Sequence, residues 1–531
     1  YEQNEDGSYS YTTNRVGNEV STDLNSTNET AGDRRIYLEA MVDYNRTFGR
    51  HDVNAMLLYN QDELVNNVPG NNLINSLPKR KQGLAGRLSY AYDGKYMAEV
   101  NMGYNGSENF AKGHRWGFFP SIALGYNISE ESFFEPLRKV ITSMKLRGSW
   151  GLVGNDQIGG ERFIYMPTIN LSGKGFTTGI DQNYGLSGPV YTRYENNSIT
   201  WEVGEKINLG IDLQLLNSLN IVVDIFRETR RDIFQKKGTI PTYLGTGNTD
   251  VFGNLAEMKN QGLDLSIDYN KAFSKDFYMN FKGTFTYAHN EITKYDEAPK
   301  YAFQSKVGQS ANVSQGYLSN GLFLDEAEID RYNQQMGSTL GAGDIKYLNV
   351  SNMHGYGDDI VDVDDWTWIG NPTVPEIVYG FGPSFKYKNW DFSFFFQGVA
   401  KTSLFMSGFH PFGDNSLRNV LQFVANDRWS PTNQNVDAKY PRLTRKTSLN
   451  NTNPGNSGRT SDYWMRDGSF LKLKNMELGY TFKRMRFYIS GSNLLTFSKF
   501  DLWDPEQGGG SGLKYPTQRV FNVGFQMTFN N

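Results

Sequence analysis

The stretch INLGIDLQLLNSLNIVVDI, residues 207–225, decides the fold class. From Ile207 to Leu215 every second residue is apolar, and the residues between them are Asn, Gly, Asp and Gln. Because a strand points successive side chains to opposite faces, this pattern predicts one apolar and one polar face. The alternation resumes at Leu219 after a short turn, so the stretch predicts an antiparallel hairpin.

The same unit recurs along the chain. Alternating stretches meet across predicted turns at Gly49, Asp93–Gly94, Lys388–Asn389 and Lys483–Arg484, and a further hairpin covers 263–287. We count about sixteen strands of about ten residues or more, which is the length that a tilted membrane-crossing strand needs. The chain is therefore predicted to be all-β.

Long polar segments alternate with the short turns. They lie at about 60–83, 105–115, 154–200, 229–257, 293–374, 402–463 and 497–516. Short turns on one side and long loops on the other are typical of transmembrane barrels. Helices are predicted inside two of the loops, at Asp325–Gln335 and Asn415–Trp429.

The chain contains no hinge-like linker that would separate domains. Residues 1–531 are therefore predicted to form a single barrel domain. Its largest extracellular loops are predicted at 154–200, 293–374 and 402–463.

The composition of the chain excludes several classes of protein. The 531 residues include no Cys, which excludes a disulfide scaffold and a Cys-ligated metal site. A formal net charge of −4 without a basic stripe argues against nucleic acid as a partner. No run approaches the roughly 18 apolar residues of a membrane helix. The mean hydropathy of −0.57 still fits a membrane barrel, because its lipid-facing and water-facing residues alternate.

A soluble β-sandwich also alternates, since one face of each sheet packs into a core. Three features favour a membrane barrel instead. The strands exceed the usual length of about 5–6 residues, Tyr and Trp gather at strand ends as at a membrane interface, and the connections are asymmetric. We therefore predict an antiparallel transmembrane β-barrel in the outer membrane of a Gram-negative bacterium, in contact with outer-membrane lipid.

The last strand carries the sharpest local signal. From Phe521 to Phe529 apolar residues alternate with polar residues or glycine. A closing strand needs this pattern, because one face meets lipid while the backbone pairs with its neighbours. The stretch resembles the carboxy-terminal assembly signal of outer-membrane barrels, with the signal positions at Asn522, Gly524, Met527 and Phe529.

Several blocks together resemble the carboxy-terminal half of SusC/RagA-type TonB-dependent outer-membrane transporters. They are MKLRGSWGLVGND (144–156), GNPTVPEIVYGF (370–381), FSFFFQGVAKT (392–402), AKYPRLT (438–444), SDYWMRDGSFLKLKNMELGYTF (461–482), FYISGSNLLTFSKFDLWDPE (487–506) and YPTQRVFNVGFQMTF (515–529). The blocks are long, keep their order and cover most of the chain, so the resemblance is specific.

The resemblance implies a barrel of about twenty-two strands filled by an amino-terminal plug. The plug and the first strands are then expected upstream of Tyr1 or on another chain. The first residues, YEQNEDGSYSYTTN, agree with this expectation because they lack the features of a signal peptide.

The resemblance also implies a transport function with defined partners. Family members import oligosaccharides, and sometimes peptides, with a SusD-like surface lipoprotein that caps the barrel. The TonB complex is expected to act through the absent plug. Loops of this length are usually functional or disordered, and their aromatic content predicts an ordered surface that docks the lipoprotein.

Other function classes remain open on the residues alone. They are a plugless passive porin and a secreted β-rich protein that binds or hydrolyses glycans. The five His are scattered without an HExxH motif, and no carboxylate pair is marked as catalytic. We predict no catalytic residue and no enzymatic activity. Oligosaccharides rank above peptides as ligands, because the resemblance implies them as the more frequent cargo and because aromatic rings stack on sugars while Asn side chains bind hydroxyls.

One acidic segment, 344–365, is a candidate calcium loop. The resemblance implies an EF-hand-like loop here, and hard oxygen ligands at alternating positions suit Ca²⁺. The family spacing is broken at Met353 and His354, so an ordinary solvated acidic loop remains the alternative. No other cofactor is predicted. The candidate ligands are Asn349, Asn352, Asp358, Asp362 and Asp364.

Aromatic side chains of the loops are candidates for stacking on sugar rings. The alternative for each is packing inside a loop or in a membrane-interface girdle. The candidates are Tyr191, Tyr194, Trp201, Phe409 and Trp429.

Overall fold

A computed structural model gives the three-dimensional structure of the chain. It describes residues 2–3, 6, 8–10, 30–68, 73–159, 161–241, 243, 250–335, 339–408, 412, 419–444, 450–451 and 460–529. Among the helices in these ranges, none is long and apolar enough to cross a bilayer.

Within the described residues, fifteen long strands form one antiparallel sheet in which each strand pairs with the strands next to it in sequence. They are β1 (Asp33–Phe48), β2 (His51–Asn66), β3 (Lys79–Tyr92), β4 (Tyr96–Ser107), β5 (Trp116–Asn127), β6 (Ile141–Asn155), β7 (Glu202–Leu215), β8 (Leu219–Lys236), β9 (Phe252–Ala272), β10 (Phe277–Lys294), β11 (Ile377–Tyr387), β12 (Trp390–Ala400), β13 (Phe470–Phe482), β14 (Met485–Ser498) and β15 (Val520–Met527). β1 and β15 are the two edges of this sheet.

The connections alternate between the two ends of the sheet. One end, the short-turn end, has tight turns such as Gly49–Arg50 and 216–218, together with one longer connection at 128–140. The backbone at Gly49 has a φ of 61°, a left-handed conformation that glycine adopts without strain. The other end, the long-loop end, carries the connections 67–78, 108–115, 156–201, 237–251, 295–376, 401–469 and 499–519.

The connections contain the remaining elements. Short strands pair as Glu2–Gln3 with Tyr9–Ser10, Thr168–Thr178 with Tyr184–Arg193, Ser314–Gly316 with Thr367–Ile369, Ser319–Leu322 with Ile345–Tyr347, and Ser403–Phe405 with Met465–Asp467. The α-helices are Leu73–Ser76, Glu326–Tyr332, Val350–Met353 and Gln422–Asn426. The 3₁₀ turns are Ile128–Glu130, Ser132–Leu137, Ala302–Gln304, Val363–Asp365, Asp462–Trp464 and Pro505–Gln507.

The apolar face of the sheet is exposed rather than packed into a core. Leu209 and Ile225 lie opposite each other on β7 and β8, and their exposures are 63% and 60%. Asp212 and Asp224, on the other face of the same strands, are half-buried. An exposed apolar face with a half-buried polar face is the reverse of what a soluble protein shows. It confirms the predicted transmembrane barrel wall, because the exposed apolar face is the one that meets lipid.

The structure differs from the sequence prediction in several details. The long strands number fifteen within the described residues, not about sixteen. Several strands extend into segments predicted as loops, for example β8 to Lys236, because polar residues continue the ladder beyond the apolar band. The hairpin 168–193 was not predicted. The two helices predicted inside loops are shorter than expected, and residues 415–418 of the second lie outside the described residues.

Candidate functional site

The largest buried apolar cluster lies in the loops at the long-loop end. We call it the loop core, and its side chains come from the connections 295–376, 401–469 and 499–519. It is built around Trp464, Tyr347 and Met406, which are completely buried. Its other buried members are Tyr317, Leu322, Ile345, Val361, Leu404, Phe412, Val424, Trp429, Ala438, Tyr440 and Phe500.

Two tyrosines lie in or against the loop core, Tyr440 as a buried member and Tyr463 packed on it. Tyr463 packs against it and donates its hydroxyl to the carbonyl of Ala438 at 2.6 Å. Burial raises the pKa of Tyr463 well above its usual range and that of Tyr440 to about 12. Both side chains therefore remain neutral at physiological pH.

A buried polar network ties two of the long loops together. The carboxylate of Asp344, which has no exposed surface, accepts from Arg442 at 3.0 Å and from Asn451 at 2.6 Å. Asn450 donates to the carbonyl of Ile345 at 2.8 Å. The hydrogen bond to Asp344 raises the pKa of Arg442. A buried charge needs such a partner, so this network fixes loop 401–469 on loop 295–376.

Loop 499–519 is anchored to the barrel by a buried lysine. Lys472 on β13 is 1% exposed and pairs with Asp504 and with Glu506, the latter at 2.8 Å. Burial of Asp504 and Glu506 works to raise the pKa of each carboxyl. The hydrogen bonds and charge of Lys472, together with the backbone N–H of Glu506 at Asp504 and with Lys474 at Glu506, outweigh burial, so the net pKa of both groups is lowered.

The predicted sugar-stacking residues fall into three environments. Trp201 is buried beside Phe110 and donates from Nε1 to the carbonyl of Arg115 at 3.2 Å, while Trp429 is buried in the loop core. The structure thus gives both tryptophans packing positions. Tyr191 and Tyr194 are exposed and stack on each other, with ring centroids 5.3 Å apart. Phe409 lies outside the described residues.

Three predicted calcium ligands converge in loop 295–376. Carboxylate oxygens of Asp358, Asp362 and Asp364 lie within 4.8 Å of one another. Asp364 also pairs with Lys300, whose pKa it raises. Three neighbouring carboxylates suit a hard cation, so these residues fit Ca²⁺.

The two predicted asparagine ligands are placed differently. The side-chain oxygen of Asn349 accepts from the backbone N–H of Asn352 at 2.7 Å and from the hydroxyl of Ser351 at 3.0 Å, so it caps the helix Val350–Met353. Asn349 therefore does not fit the ligand set. Asn352 lies exposed on that helix.

The polar face of the sheet holds ion-paired clusters nearer the short-turn end. Arg147 on β6 binds Asp212 at 2.7 Å and Asp224 at 3.0 Å. Arg486 on β14 binds Glu477 at 2.6 Å and also pairs with Asp391. These clusters make this face of the wall hydrophilic, as the lumen of a barrel requires.

The predicted assembly-signal residues lie on or just beyond β15. Asn522 and Gly524 pair with Ser490 and Tyr488 of β14, and Met527 pairs with Met485. A Cβ on Gly524 would lie 2.0 Å from Cζ of Tyr488, so the tyrosine ring covers the glycine. Phe529 follows the strand and is exposed.

The polar members of the loop network were missed at the sequence level. Asp344 begins the segment assigned to calcium, and Arg442 lies in the block AKYPRLT, yet neither residue was singled out. Their pairing spans two loops far apart in sequence, and no local spacing encodes it.

Comparison with known proteins adds independent findings. Residues 1–494 match the family model described as "TonB dependent receptor-like, beta-barrel". TonB-dependent receptor P3 of Formosa agariphila is 25% identical over 97% of this chain and 54% of its own length. TonB-dependent receptor SusC of Bacteroides thetaiotaomicron is 28% identical over 84% and 43%, respectively. The solved RagAB peptide transporter aligns with a TM-score of 0.68 at 20% identity, over 94% of this chain and 56% of that chain.

The apolar outer face, the polar inner face and the alternating connections define an outer-membrane β-barrel. Its place is the outer membrane of a Gram-negative bacterium. The chain belongs to the TonB-dependent receptor-like β-barrel family and is of the SusC/RagA type. It spans about half the length of the curated relatives it matches.

Proposed function

We propose that this chain forms the barrel wall and outer loops of a TonB-dependent nutrient importer that works with a SusD-like surface lipoprotein. The observation that carries the proposal is the loop core. Passive diffusion through a pore does not require a packed core in the loops, such as the one formed by Trp464, Tyr347 and Met406. A surface that docks a partner protein does require loops held in one conformation. Energy is supplied by the TonB complex through a plug.

Docking is tested by co-purification of the tagged full-length transporter from its native host in mild detergent. A surface lipoprotein is expected to accompany the wild type. Deletion of 402–463 removes Met406, Trp429 and Tyr440 from the loop core and is expected to abolish this association. The control is Phe133→Ser, an exposed residue of connection 128–140 at the opposite end. Association that survives the deletion contradicts the proposal.

The cargo is an oligosaccharide in this proposal, with a peptide as the second candidate. The exposed pair Tyr191 and Tyr194 offers stacked rings of the kind that bind sugar faces. We expect Tyr191→Ala with Tyr194→Ala to weaken glycan binding by the full-length transporter about tenfold, which is roughly 1.4 kcal/mol. Tyr184→Ala on the same hairpin is the matched control, because Tyr184 is also an exposed tyrosine. Binding of oligopeptides but of no glycan in a broad panel would reverse the order.

Transport and passive diffusion are separated by energy dependence. Uptake by the full-length protein is expected to stop when TonB is deleted or the proton gradient is dissipated. A plugless porin would continue to conduct ions in planar bilayers under both conditions. Glycan hydrolysis by the purified protein would favour the secreted hydrolase instead, and we expect no products after incubation with the bound glycan.

A calcium ion in loop 295–376 is a secondary proposal. Asp358, Asp362 and Asp364 supply the ligands, and Lys300 is displaced from Asp364 when the ion binds. Calcium is expected to protect residues 354–366 from hydrogen exchange in the wild type but not in Asp362→Asn. Asp359→Asn, which alters an exposed neighbour outside the cluster, is the control. Equal protection with and without calcium would contradict this site.

A further inference from the structure

Three cationic side chains lie on the lipid-facing side of β8 and β9, towards the long-loop end. Arg227 on β8 lies opposite Ile207 of β7 and Gln261 of β9, so its side chain belongs to the apolar outer face. Lys259 is opposite Thr229 on that same face, and Arg231 is opposite Val203. We call Arg227, Arg231 and Lys259 the rim cations.

The height of the rim cations places them at the membrane interface. From Leu219 at the turn to Arg227, the strand climbs roughly 20 Å along the barrel axis, close to the top of an apolar band of about 25 Å. Trp150 of β6, an interface-type residue, is opposite Ile207 at the same height. The long-loop end faces the outside in barrels of this kind, so the rim cations lie at the outer leaflet.

The carboxylates on this face leave part of the positive charge uncompensated. Glu205 binds Nε1 of Trp150 at 2.9 Å and lies 3.7 Å from Arg231, and Glu257 accepts from Thr293. Glu291 is opposite Lys259 in the register. Among the described residues, neither Arg227 nor Lys259 forms an ion pair, although the cations of the inner face at the same height, Lys206 and Arg230, are paired with Glu202 or Glu228.

We propose that the rim cations bind the phosphate groups of a glycolipid in the outer leaflet. A guanidinium presents paired N–H donors that match phosphate oxygens, and an ammonium adds a point charge beside it. Arg227 and Lys259 are diagonal neighbours on adjacent strands, about 7–8 Å apart, so one phosphorylated headgroup reaches both. The exposed side chains of Leu209 and Ile225 directly below receive its acyl chains.

The test measures binding of phosphorylated lipid A to the full-length transporter in an uncharged detergent by native mass spectrometry. Arg227→Gln with Lys259→Gln is expected to weaken binding roughly thirtyfold, at roughly fivefold for each cation near an anionic surface. Arg227→Lys with Lys259→Arg keeps the charge and is expected to retain most of the affinity. Glu291→Gln removes the opposing carboxylate and is expected to strengthen binding severalfold.

Two matched controls separate this effect from general charge loss. Arg230→Gln removes the same charge from the inner face of the same strand, and Arg80→Gln removes an outer-face cation already paired with Glu63. Both are expected to bind the lipid like the wild type. Heat-modifiable migration on a gel confirms that each variant is folded.

Three results would overturn the proposal. The first is a double variant that migrates as folded barrel and binds as well as Arg230→Gln. The second is equal binding of dephosphorylated lipid A by the wild type, which would leave the cations without a role. The third is displacement of the lipid by millimolar inorganic phosphate, which would make the patch a site for free phosphate.

Discussion

The barrel wall and the loop core use the same residue types in opposite ways. In the wall, large side chains such as Leu209 and Val523 are exposed, while ladder hydrogen bonds between neighbouring strands hold the sheet. In the loop core, Trp464 and Tyr347 are buried, and few of the connecting residues belong to strands. The stability of the wall therefore depends on backbone pairing and on lipid. The stability of the loop core depends on side chains that pack together away from water.

The sharpest contrast is expected when one tryptophan is truncated in each region. Trp464→Ala creates a cavity in the loop core and is expected to cost about 3–5 kcal/mol. Hydrogen exchange should become faster in 312–376 and 461–467 while the strands of the wall remain protected. Trp116→Ala is the control, because that ring lies on the outer face, and we expect little change in either region. Loss of the barrel in Trp464→Ala would show that the two regions do not fold independently.

Charge burial gives the second contrast. Asp344→Asn leaves Arg442 without its carboxylate, and we expect a loss of about 2–3 kcal/mol, since the arginine is partly exposed. Asp224→Asn on the luminal face leaves Arg147 paired with Asp212 and is expected to cost much less. Proteolysis of loop 401–469 should become faster in Asp344→Asn, whereas Asp224→Asn alters only the wall and serves as the control. Equal susceptibility of the two variants would argue against the network as the tie between loops.

Close packing on the wall is tested at the last strand. Gly524→Leu places a side chain where the Tyr488 ring lies, and overpacking of this kind costs about 1–3 kcal/mol. The yield of heat-modifiable, folded protein in the outer membrane should fall. Combining Gly524→Leu with Tyr488→Ala removes the clash and should restore part of that yield. Failure of this rescue would point to a requirement for glycine that is independent of the ring.

The smallest effect is expected when the pH is lowered and the anchor of loop 499–519 is weakened. The folded-state pKa of Asp504 and of Glu506 is lowered, so their pairing with Lys472 stabilises the anchor of loop 499–519 above the unfolded-state values. These values are about 4, and the stabilisation is lost as the pH falls below them through the folded-state values. Protection of residues 499–519 should be constant from pH 8 to 5 and decline below pH 4. Lys472→Met should weaken this dependence without abolishing it, because Lys474 still pairs with Glu506.

The sequence predicted the wall well and the loop core poorly. The alternation in 207–225 reports a local rule, since each residue's face follows from its neighbours, and the strands β7 and β8 confirm it. For Trp429 the sequence left sugar stacking and packing inside a loop as alternatives, and the ring is buried because residues far away in sequence cover it. Loop packing depends on such distant contacts, and no periodic pattern records them.

For the individual sites too, the sequence predicted local features better than the role of each side chain. Asp358, Asp362 and Asp364 are close in sequence and meet in space. Asn349 was grouped with them because the family resemblance implies an oxygen-rich loop here, and its side chain caps the backbone of its own helix. Composition does not distinguish a ligand from a cap, because both roles need the same amide oxygen.

The ring of Tyr488 over Gly524 also favours one pairing of the last two strands. Sliding β15 by two residues is the smallest shift that keeps its apolar face towards lipid. That shift would bring Asn522 or Gln526 beneath the ring, and the ring would have to move to make room for either side chain. A single residue without a side chain thus acts as a register mark for the end of the chain, because the ring of Tyr488 keeps its place only when that residue lies beneath it.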